Sequence, residues 1–309
     1  MNSLPKQRAE ALKKAIRLQW ISIAVVIVTV AIVGVVAGQS QAMKAAWVED
    51  LLALVPPIAF LVAAHVSKRP PSEKFPYGFH RAVGIAHLVA GFTLLAMGGL
   101  LAYESVSGLV TQEKPPIGLT VVAGHAVWAG WPMIVVMLLS IAPPMILGRL
   151  KMKLAEQLHD KVLYADADMN KADWTTGLGT AIGIFGVGFG LWWMDAAVAT
   201  LVSLSIIKDG VTNVKAAVSD LMDTRVTTFD EKVPALLHEV DRRIQELDWV
   251  AASNTRIRDQ GHVFHSETFV VPRSEPTLQQ LNDARSMLTD LDWKMHDVVI
   301  VPVRALPEY

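Results

Sequence analysis

The sequence predicts an α-helical membrane protein with six transmembrane helices, followed by a C-terminal cytosolic α+β domain. The chain has 309 residues, of which 52% are hydrophobic and 18% are charged, and its mean hydropathy is +0.37. A soluble protein of this length carries more charged residues and fewer apolar ones. The long apolar runs end before Asp223, so we place a transmembrane domain at residues 1–223 and a soluble domain at residues 224–309.

Six apolar segments in the transmembrane domain are interpreted as membrane spans. A helix needs roughly 20 apolar residues to cross the ~30 Å hydrocarbon core of a bilayer. The sixth segment is short for a span, so we expect its helix to pack inside a bundle and to continue into the cytosol. The predicted spans cover residues 20–38, 47–66, 83–106, 121–147, 173–193 and 194–207.

The distribution of basic residues predicts that both termini lie in the cytosol. Cytoplasmic loops of membrane proteins are enriched in lysine and arginine. The N-terminal tail, the 2–3 loop and the 4–5 loop are basic, and they fall on one side of the membrane only if the number of spans is even. Their basic residues are Lys6, Arg8, Lys13, Lys14, Arg17, Lys68, Arg69, Lys74, Arg81, Arg149, Lys151, Lys153 and Lys161.

Beyond Asp223 the pattern changes to short amphipathic segments, with a hinge predicted at residues 225–229. Helical periodicity alternates with strand-like runs, and a turn signal at residues 259–261 separates two of the strands. The resulting order, αββαβ, predicts a small ferredoxin-like domain with its helices on one sheet face. The predicted elements are helices at 230–247 and 277–291 and strands at 250–258, 262–271 and 298–303.

Composition also limits the class of function. A net charge of −1 gives no reason to expect a nucleic-acid partner. The chain has no cysteine, which excludes disulfides, thiolate metal sites and cysteine catalysis. No phosphate-binding loop, nucleotide fingerprint or Ser/His/Asp arrangement stands out, so the sequence gives little support for a membrane enzyme, and no bound cofactor is expected. No small-residue cleavage site follows the first apolar run, which is therefore interpreted as a retained span.

The fifth predicted span is entered through an acidic segment. Asp166, Met169 or Asn170, and Asp173 recur at helical spacing and therefore share one face. The predicted topology sorts the acids by depth: Asp166 and Asp168 would line the cytosolic approach, whereas Asp173 would lie within the membrane. An intramembrane carboxylate is expensive and by default marks an ion path.

The second predicted span supplies a partner for Asp173. Glu49 and Asp50 open this span, Glu49 shares a face with Ala53, and the Pro56–Pro57 pair would bend the helix just beyond. Buried carboxylates from two helices need a bound cation or shared protons. Such a pair is what an ion-exchanging site requires, because it holds a divalent ion when ionised and releases the ion when protonated.

The nine histidines lack the tight spacing of a metal motif, and several roles stay open for them. A lone intramembrane histidine is more often a hydrogen-bonded packing residue than a ligand. In the soluble domain, His262 and His265 would point to opposite faces of a strand. The histidines concerned are His65, His80, His87 and His125 in the first domain and His238, His262, His265 and His296 in the second.

Several motifs in this order resemble the cation diffusion facilitator family. The resemblance covers the six spans and the C-terminal domain. It implies a homodimeric exporter of the bacterial inner membrane, which exchanges a cytosolic divalent metal ion for protons and dimerises through its cytosolic domain. The motifs are Ser67-Lys68-Arg69-Pro70-Pro71, Phe75-Pro76-Tyr77-Gly78-Phe79-His80-Arg81, Asp173, Met194-Asp195-Ala196 and Leu221-Met222-Asp223.

The resemblance also implies a set of metal ligands, which this chain keeps only in part. The family has a ligand pair at i, i+4 on span 2 and another on span 5. Here Glu49 and Asp173 match, whereas Ala53 and Met169 depart from the pattern. We expect Asp50, Met169 or Asn170 to complete the shell.

Other family positions bear on metal choice and on the domain junction. Phe75 and Phe79 replace loop-site histidines, and Thr268 and Val301 replace C-terminal ligands, so neither accessory metal site is expected. An oxygen-rich site favours Mn²⁺ or Mg²⁺ over Zn²⁺. The exported ion is expected to belong to the class of divalent cations that includes manganese, iron, cobalt and zinc. Further, Arg81 and Asp223 match a family charge lock between the 2–3 loop and the end of span 6.

Two alternatives to divalent-metal export remain open at this point. The departures at Ala53 and Met169 are also compatible with a membrane scaffold that resembles the family but no longer transports. A transporter for monovalent ions could use the same carboxylates.

Overall fold

In the N-terminal part of the chain, the described residues form seven α-helices and a short β-hairpin. A computed structural model describes residues 6–37, 51–113, 118–122, 125–128, 130–227, 234–261 and 263–307. Within these residues the helices are α1 (Lys6–Ala37), α2 (Val55–Val66), α3 (Ala82–Val110), α4 (Gly130–Ser140), α5 (Ala142–Leu158), α6 (Lys161–Gly188) and α7 (Met194–Leu221), and the hairpin strands are β1 (Leu119–Val122) and β2 (His125–Trp128).

Among the described residues, three helical stretches are long and apolar enough to cross a membrane: Arg8–Ala31, Ala82–Val110 and Met133–Leu158. Helix α2 is apolar but short. Charged residues and glycines dilute the apolar character of α6 and α7, which carry the predicted spans 5 and 6. The structure is that of an integral membrane protein with several apolar helices, and the count of six spans stays a prediction.

The fourth predicted span, at residues 121–147, was placed too early in the chain. Its first part forms the β1–β2 hairpin, with Leu119 opposite Trp128 and Val122 opposite His125. The apolar helical stretch begins only after the hairpin and runs on to Leu158. An apolar run rich in valine and tryptophan suits a strand as well as a helix, so hydrophobicity alone could not separate the two.

Helix α6 is longer than predicted and begins at Lys161. Asp160 caps it, because its carboxylate accepts a hydrogen bond from the backbone N–H of Leu163 at 3.0 Å. His159 ends α5 in the left-handed conformation, with φ 47°. Asp166 and Asp168, in the acidic segment that leads into the fifth predicted span, are consequently part of this helix, and Lys151, predicted in the 4–5 loop, lies on α5.

Helices α3 and α7 lie side by side along their length and meet at small residues. A Cβ atom at Gly98 would lie 2.9 Å from the backbone nitrogen of Ile207, and one at Gly210 would lie 2.8 Å from the Cα atom of Leu95. Small residues allow helix backbones to approach closely inside a membrane. This contact fixes α7 against the helix that follows the 2–3 loop.

The C-terminal part has the predicted order αββαβ. The strands form a mixed sheet of order β3-β4-β5, with β4 antiparallel to β3 and parallel to β5. Both helices contribute to one apolar core, which includes Val240, Ile257 and Leu288. The elements are α8 (Ala235–Gln245), β3 (Val250–Asp259), β4 (Phe264–Pro272), α9 (Leu278–Thr289) and β5 (Met295–Pro302). The finer, ferredoxin-like description stays a prediction.

The segment predicted as a hinge is held against the cytosolic domain where it is described, as far as residue 227. The backbone N–H of Val226 donates to the carbonyl of Ile257 at 2.8 Å, and its side chain is buried in the domain core. Val226 is therefore part of the cytosolic domain, and any bending between the domains takes place at other residues.

Candidate metal centre

Met169 lies at the meeting point of four segments of the transmembrane domain. Its side chain is buried in an apolar cluster with residues of α3 and α7, and Ala53, which precedes α2, packs against that cluster. The two positions at which the family resemblance expects ligands, Ala53 and Met169, are thus brought together and are both apolar. The remaining buried members of the cluster are Leu94, Met97, Ala172 and Ile206.

Asp173 lies one helical turn beyond Met169, about 6 Å further along the axis of α6. It is half-buried and belongs to the same helical face as Asp166. Glu49 and Asp50 lie outside the described residues, so their distance from Asp173 stays a prediction.

Asn170 is buried on the same turn of α6 as Met169. Its side-chain Nδ2 donates to the backbone carbonyl of Asp166 at 2.8 Å. The atom suited to bind a cation is the amide oxygen, which this bond does not use.

Asp166 was expected to line the cytosolic approach, but its carboxylate is enclosed by protein. Its Oδ2 lies 2.8 Å from Nζ of Lys151 on α5 and accepts a 2.6 Å hydrogen bond from Nε2 of Gln19 on α1. All three side chains are buried. In this conformation Asp166 holds an internal cation and offers no oxygen to the cytosolic solution.

Asp168 is also buried and belongs to a polar chain that links three helices. Nδ2 of Asn213 on α7 donates to Oδ2 of Asp168 at 3.0 Å. Oδ1 of the same amide lies 3.2 Å from Nε2 of His87 on α3. Because the amide oxygen can only accept, Nε2 of His87 carries a proton. His87 is therefore a hydrogen-bonded packing residue here, and Asp168 is tied to helix packing rather than exposed in a vestibule.

Asp223 joins the two domains. Its carboxylate contacts the guanidinium of Arg81, which precedes α3, and lies 3.0 Å from Nη1 of Arg258 on β3. Arg81 also donates to the carbonyl of Leu221 at 2.9 Å. The two residues of the expected charge lock are thus in contact, and the cytosolic domain adds a second arginine that sequence reasoning did not identify.

Replacing Asp223 with asparagine should loosen the domain junction without unfolding either domain. Asparagine keeps the size of the side chain and tolerates the left-handed backbone of residue 223, where φ is 61°. Exposed ion pairs contribute about 0–1 kcal/mol each, so we expect Tm to fall by a few degrees at most. Amide hydrogen exchange around Arg258 should rise clearly.

Asp209→Asn is the matched control, because it removes a partly exposed ion pair with Lys171 that lies between α6 and α7. This variant should leave exchange at the domain junction unchanged. Equal exchange around Arg258 in both variants would contradict the assignment of Asp223 as a contact between domains.

A second contact between the domains centres on the buried Lys294. Its Nζ donates to the carbonyl of His159 at 3.0 Å and to that of Gly261 at 2.7 Å. Gly261 has φ +92°, and a Cβ atom there would lie 2.5 Å from Cβ of Val83 on α3. Burial lowers the pKa of the His159 imidazole, and the charges of Lys294 and Arg8 add to that shift. The cytosolic domain therefore contacts the turn before α6, through the hydrogen bond from Lys294 to His159.

On the cytosolic sheet, His265 lies between two carboxylates. Its Nδ1 is 2.6 Å from Oδ2 of Asp297 and its Nε2 is 3.1 Å from Oε1 of Glu267. Burial by itself would raise the pKa of Glu267, but the bonds from His265 and Arg256 outweigh it and lower that pKa. With both ring nitrogens within hydrogen-bond distance of carboxylates, this histidine belongs to a hydrogen-bonded network on the sheet.

The other histidines of the described chain are dispersed. The ring centroids of His80 and His296 lie 6.2 Å apart across the domain junction. Phe75 and Phe79, at the positions of the family's loop-site histidines, contact each other with ring centroids 4.7 Å apart. His262 lies outside the described residues. In the parts of the chain that the structure describes, no group of three or more histidine or acidic side chains is arranged to hold a metal ion. The exposed histidines among the described residues are His65, His125, His159, His238 and His296.

Sequence reasoning missed Gln19, Lys151 and Asn213, which hold the acids of α6. Gln19 and Asn213 are polar residues inside otherwise apolar helical patterns, and that contrast was the available signal. Lys151 was counted among loop charges, because the fourth predicted span ended at residue 147, whereas α5 runs on to Leu158.

The chain matches one protein family model and is similar to several individual proteins. The family model for the cation efflux transmembrane domain matches residues 18–222. The manganese efflux system protein MneS of Bacillus subtilis is 30% identical over 206 residues, which cover 65% of this chain and 66% of that protein. The manganese efflux system protein MneP of the same organism is 24% identical over 281 residues, or 88% of each chain. The uncharacterized transporter YdbO, also from B. subtilis, is 24% identical over 308 residues and covers 98% of this chain.

Proposed function

Because the chain belongs to the cation efflux family, and is thus a membrane transporter of metal cations rather than an enzyme, we propose that it exports a divalent cation in exchange for protons. Glu49 and Asp173 are the proposed central ligands. Asp50, Met169 or the amide oxygen of Asn170 completes the shell.

The observation that carries this proposal is the packing of Ala53 against the cluster of Met169. In the predicted topology, spans 2 and 5 run in opposite directions. Glu49 precedes Ala53 by four residues, and Asp173 follows Met169 by four residues. One turn outward on each of two antiparallel helices places the two carboxylates at the same depth. The contact at Ala53 therefore supports pairing of Glu49 with Asp173.

The chemistry of these residues favours Mn²⁺ as the exported ion. Zinc sites use mainly cysteine and histidine, whereas carboxylate and carbonyl oxygens suit Mn²⁺ and Mg²⁺. The proposed shell consists of oxygens with at most one thioether. Two relatives of this chain are named manganese efflux proteins, which supports the same choice.

Exchange follows from the two states of the carboxylates. Ionised, they hold the metal ion in a conformation that is open to the cytosol. When they are protonated from the outside, they release the metal ion. The protein then returns, by alternating access, to the conformation that is open to the cytosol. A proton that moves inward gains about 2.3 kcal/mol per 100 mV of membrane potential, which offsets a modest outward gradient of metal.

The same proposal assigns the protein to a bacterial inner membrane as a homodimer with both termini in the cytosol. Residues 224–309 form the proposed dimerisation domain, and the contact of Asp223 with Arg81 and Arg258 holds that domain against the membrane part.

A second candidate function is a scaffold that no longer transports. Ala53 and Met169 favour it, because an apolar cluster occupies two of the four positions at which the resemblance expects ligands. Isothermal titration of the purified protein separates the two functions. We expect Mn²⁺ to bind to the wild type and to Asp209→Asn, but not to Glu49→Gln or Asp173→Asn. Absence of any binding of Mn²⁺, Fe²⁺, Co²⁺ or Zn²⁺ to the wild type would favour the scaffold.

A further inference from the structure

Lys151 and Asp166 form an ion pair that is enclosed in the transmembrane domain. Nζ of Lys151 on α5 lies 2.8 Å from Oδ2 of Asp166 on α6, and the side chains are 1% and 2% exposed. Neighbouring residues of α1, α5 and α6 form an apolar cluster that includes Leu12, Ala155 and Leu163. Replacing a buried ion pair with apolar residues is often neutral or stabilising. Stability alone therefore gives little reason for this pair.

Gln19 completes the surroundings of Asp166. Its Nε2 donates to Oδ2 of Asp166 at 2.6 Å. Gln19 is 0% exposed, and its Oε1 has no hydrogen-bond partner among the residues that the structure describes. A buried amide oxygen without a partner is unusual. It belongs to the same amide group that donates to the carboxylate, so a second kind of hard oxygen ligand lies beside Asp166.

The position of this pair relates it to the proposed metal site. Asp166 and Asp173 are seven residues apart on α6, which places them on one face and about 10.5 Å apart along the axis. Asp166 is the nearer of the two to the cytosolic start of the helix. Carboxylate and amide oxygens are the ligands that Mn²⁺ accepts. Lys151 fills this position with a positive charge that belongs to the protein.

We propose that Lys151 is a tethered cation that occupies Asp166 and confines divalent-metal binding on α6 to the level of Asp173. The inference rests on the proposed function, which places the metal site of the wild type at Asp173. Removal of the ammonium opens a second site, in which Asp166 and Oε1 of Gln19 bind the metal ion.

The test is isothermal titration of the full-length protein with Mn²⁺. Lys151→Met should bind one more Mn²⁺ per chain than the wild type, because methionine keeps the bulk of the lysine stem and removes its charge. Lys151→Met/Asp166→Asn should lose that additional ion. Lys151→Arg retains a cation and should bind as the wild type does. A purely structural ion pair would not add a bound metal ion.

Failure of this inference can be distinguished from failure of the proposed function. Lys151→Met/Asp173→Asn should keep the ion that depends on Asp166 and lose the one that depends on Asp173. If Asp173→Asn abolishes binding to the wild type and Lys151→Met adds no ion, the inference is wrong and the proposed function stands. If only Lys151→Met binds Mn²⁺, through Asp166, the role of Lys151 in occupying Asp166 stands and the proposed site at Asp173 is wrong.

Folding of the variants is part of the same test. If Lys151→Met unfolds in the absence of metal, Mn²⁺ should restore its thermal transition. A Lys151→Met protein that stays unfolded with Mn²⁺ overturns the inference, whether or not Lys151→Met/Asp166→Asn folds, because Asp166 then fails to accept the metal ion as a substitute for the ammonium.

Discussion

Replacing Asp173 with alanine should abolish uptake of Mn²⁺ into inverted membrane vesicles while the protein remains folded. The half-buried Asp173 is the described carboxylate one turn from Met169, whose apolar cluster Ala53 packs against, and the proposed site depends on its charge. Loss of a residue that merely orients a metal ligand costs about 10–100-fold in affinity or activity. Loss of a charged ligand should therefore reduce transport at least about 100-fold.

The control for this experiment is Asp209→Asn. It also removes a carboxylate from the transmembrane domain, but this carboxylate is partly exposed and paired with Lys171. We expect this variant to transport at close to the wild-type rate. The oligomeric state and the melting temperature of Asp173→Ala, measured in detergent, should match those of the wild type. Normal uptake by Asp173→Ala would remove that residue from the metal site.

The second large effect concerns the packing of α3 against α7. Gly98→Val should destabilise the protein strongly, because its Cβ atom would lie 2.9 Å from both the backbone nitrogen of Ile207 and Cγ2 of Ile206. A backbone atom cannot move aside alone, so the two helices must separate. Overpacking of this kind costs typically 1–3 kcal/mol, which corresponds to a fall in Tm of roughly 2–12 °C for a domain of this size.

Gly99→Val provides a control one residue away. Apart from its chain neighbours and the backbone of its own helix, no atom of the described residues lies within 4 Å of a Cβ atom built on Gly99. Valine there should leave the melting temperature of the purified protein unchanged or raise it slightly, since glycine is the weaker helix former. Similar melting temperatures for the two variants would mean that α3 and α7 do not pack as described.

The sequence alone predicted the elements whose patterns are local. The order of the C-terminal domain and the start of the last long helix at Met194 follow from periodicity and from turn residues, and the structure agrees with both. The hairpin at residues 119–128 was missed, because an apolar run does not show whether its residues pair as strands.

The surroundings of the acids on α6 could not be predicted in the same way. Gln19 and Asp166 are 147 positions apart in the chain, and their contact depends on how α1, α5 and α6 pack together. The sequence identified Asp166, Asp168 and Asp173 as acids of one helix, but not the partners of Asp166 and Asp168 inside the protein. Helix packing decides this, by enclosing Asp166 with Lys151 and by joining Asp168 to Asn213.

The central claim is that the protein exchanges a divalent cation for protons, and flux in proteoliposomes tests it most directly. Purified protein is reconstituted into vesicles loaded with a fluorescent indicator for Mn²⁺, and a second set of vesicles carries a pH indicator. With an acidic interior and Mn²⁺ outside, we predict uptake of Mn²⁺ that is coupled to loss of internal protons and that stops when an ionophore collapses the pH gradient. The claim would be contradicted by uptake of Mn²⁺ at the same rate with and without the pH gradient, or by no uptake of Mn²⁺ by folded protein.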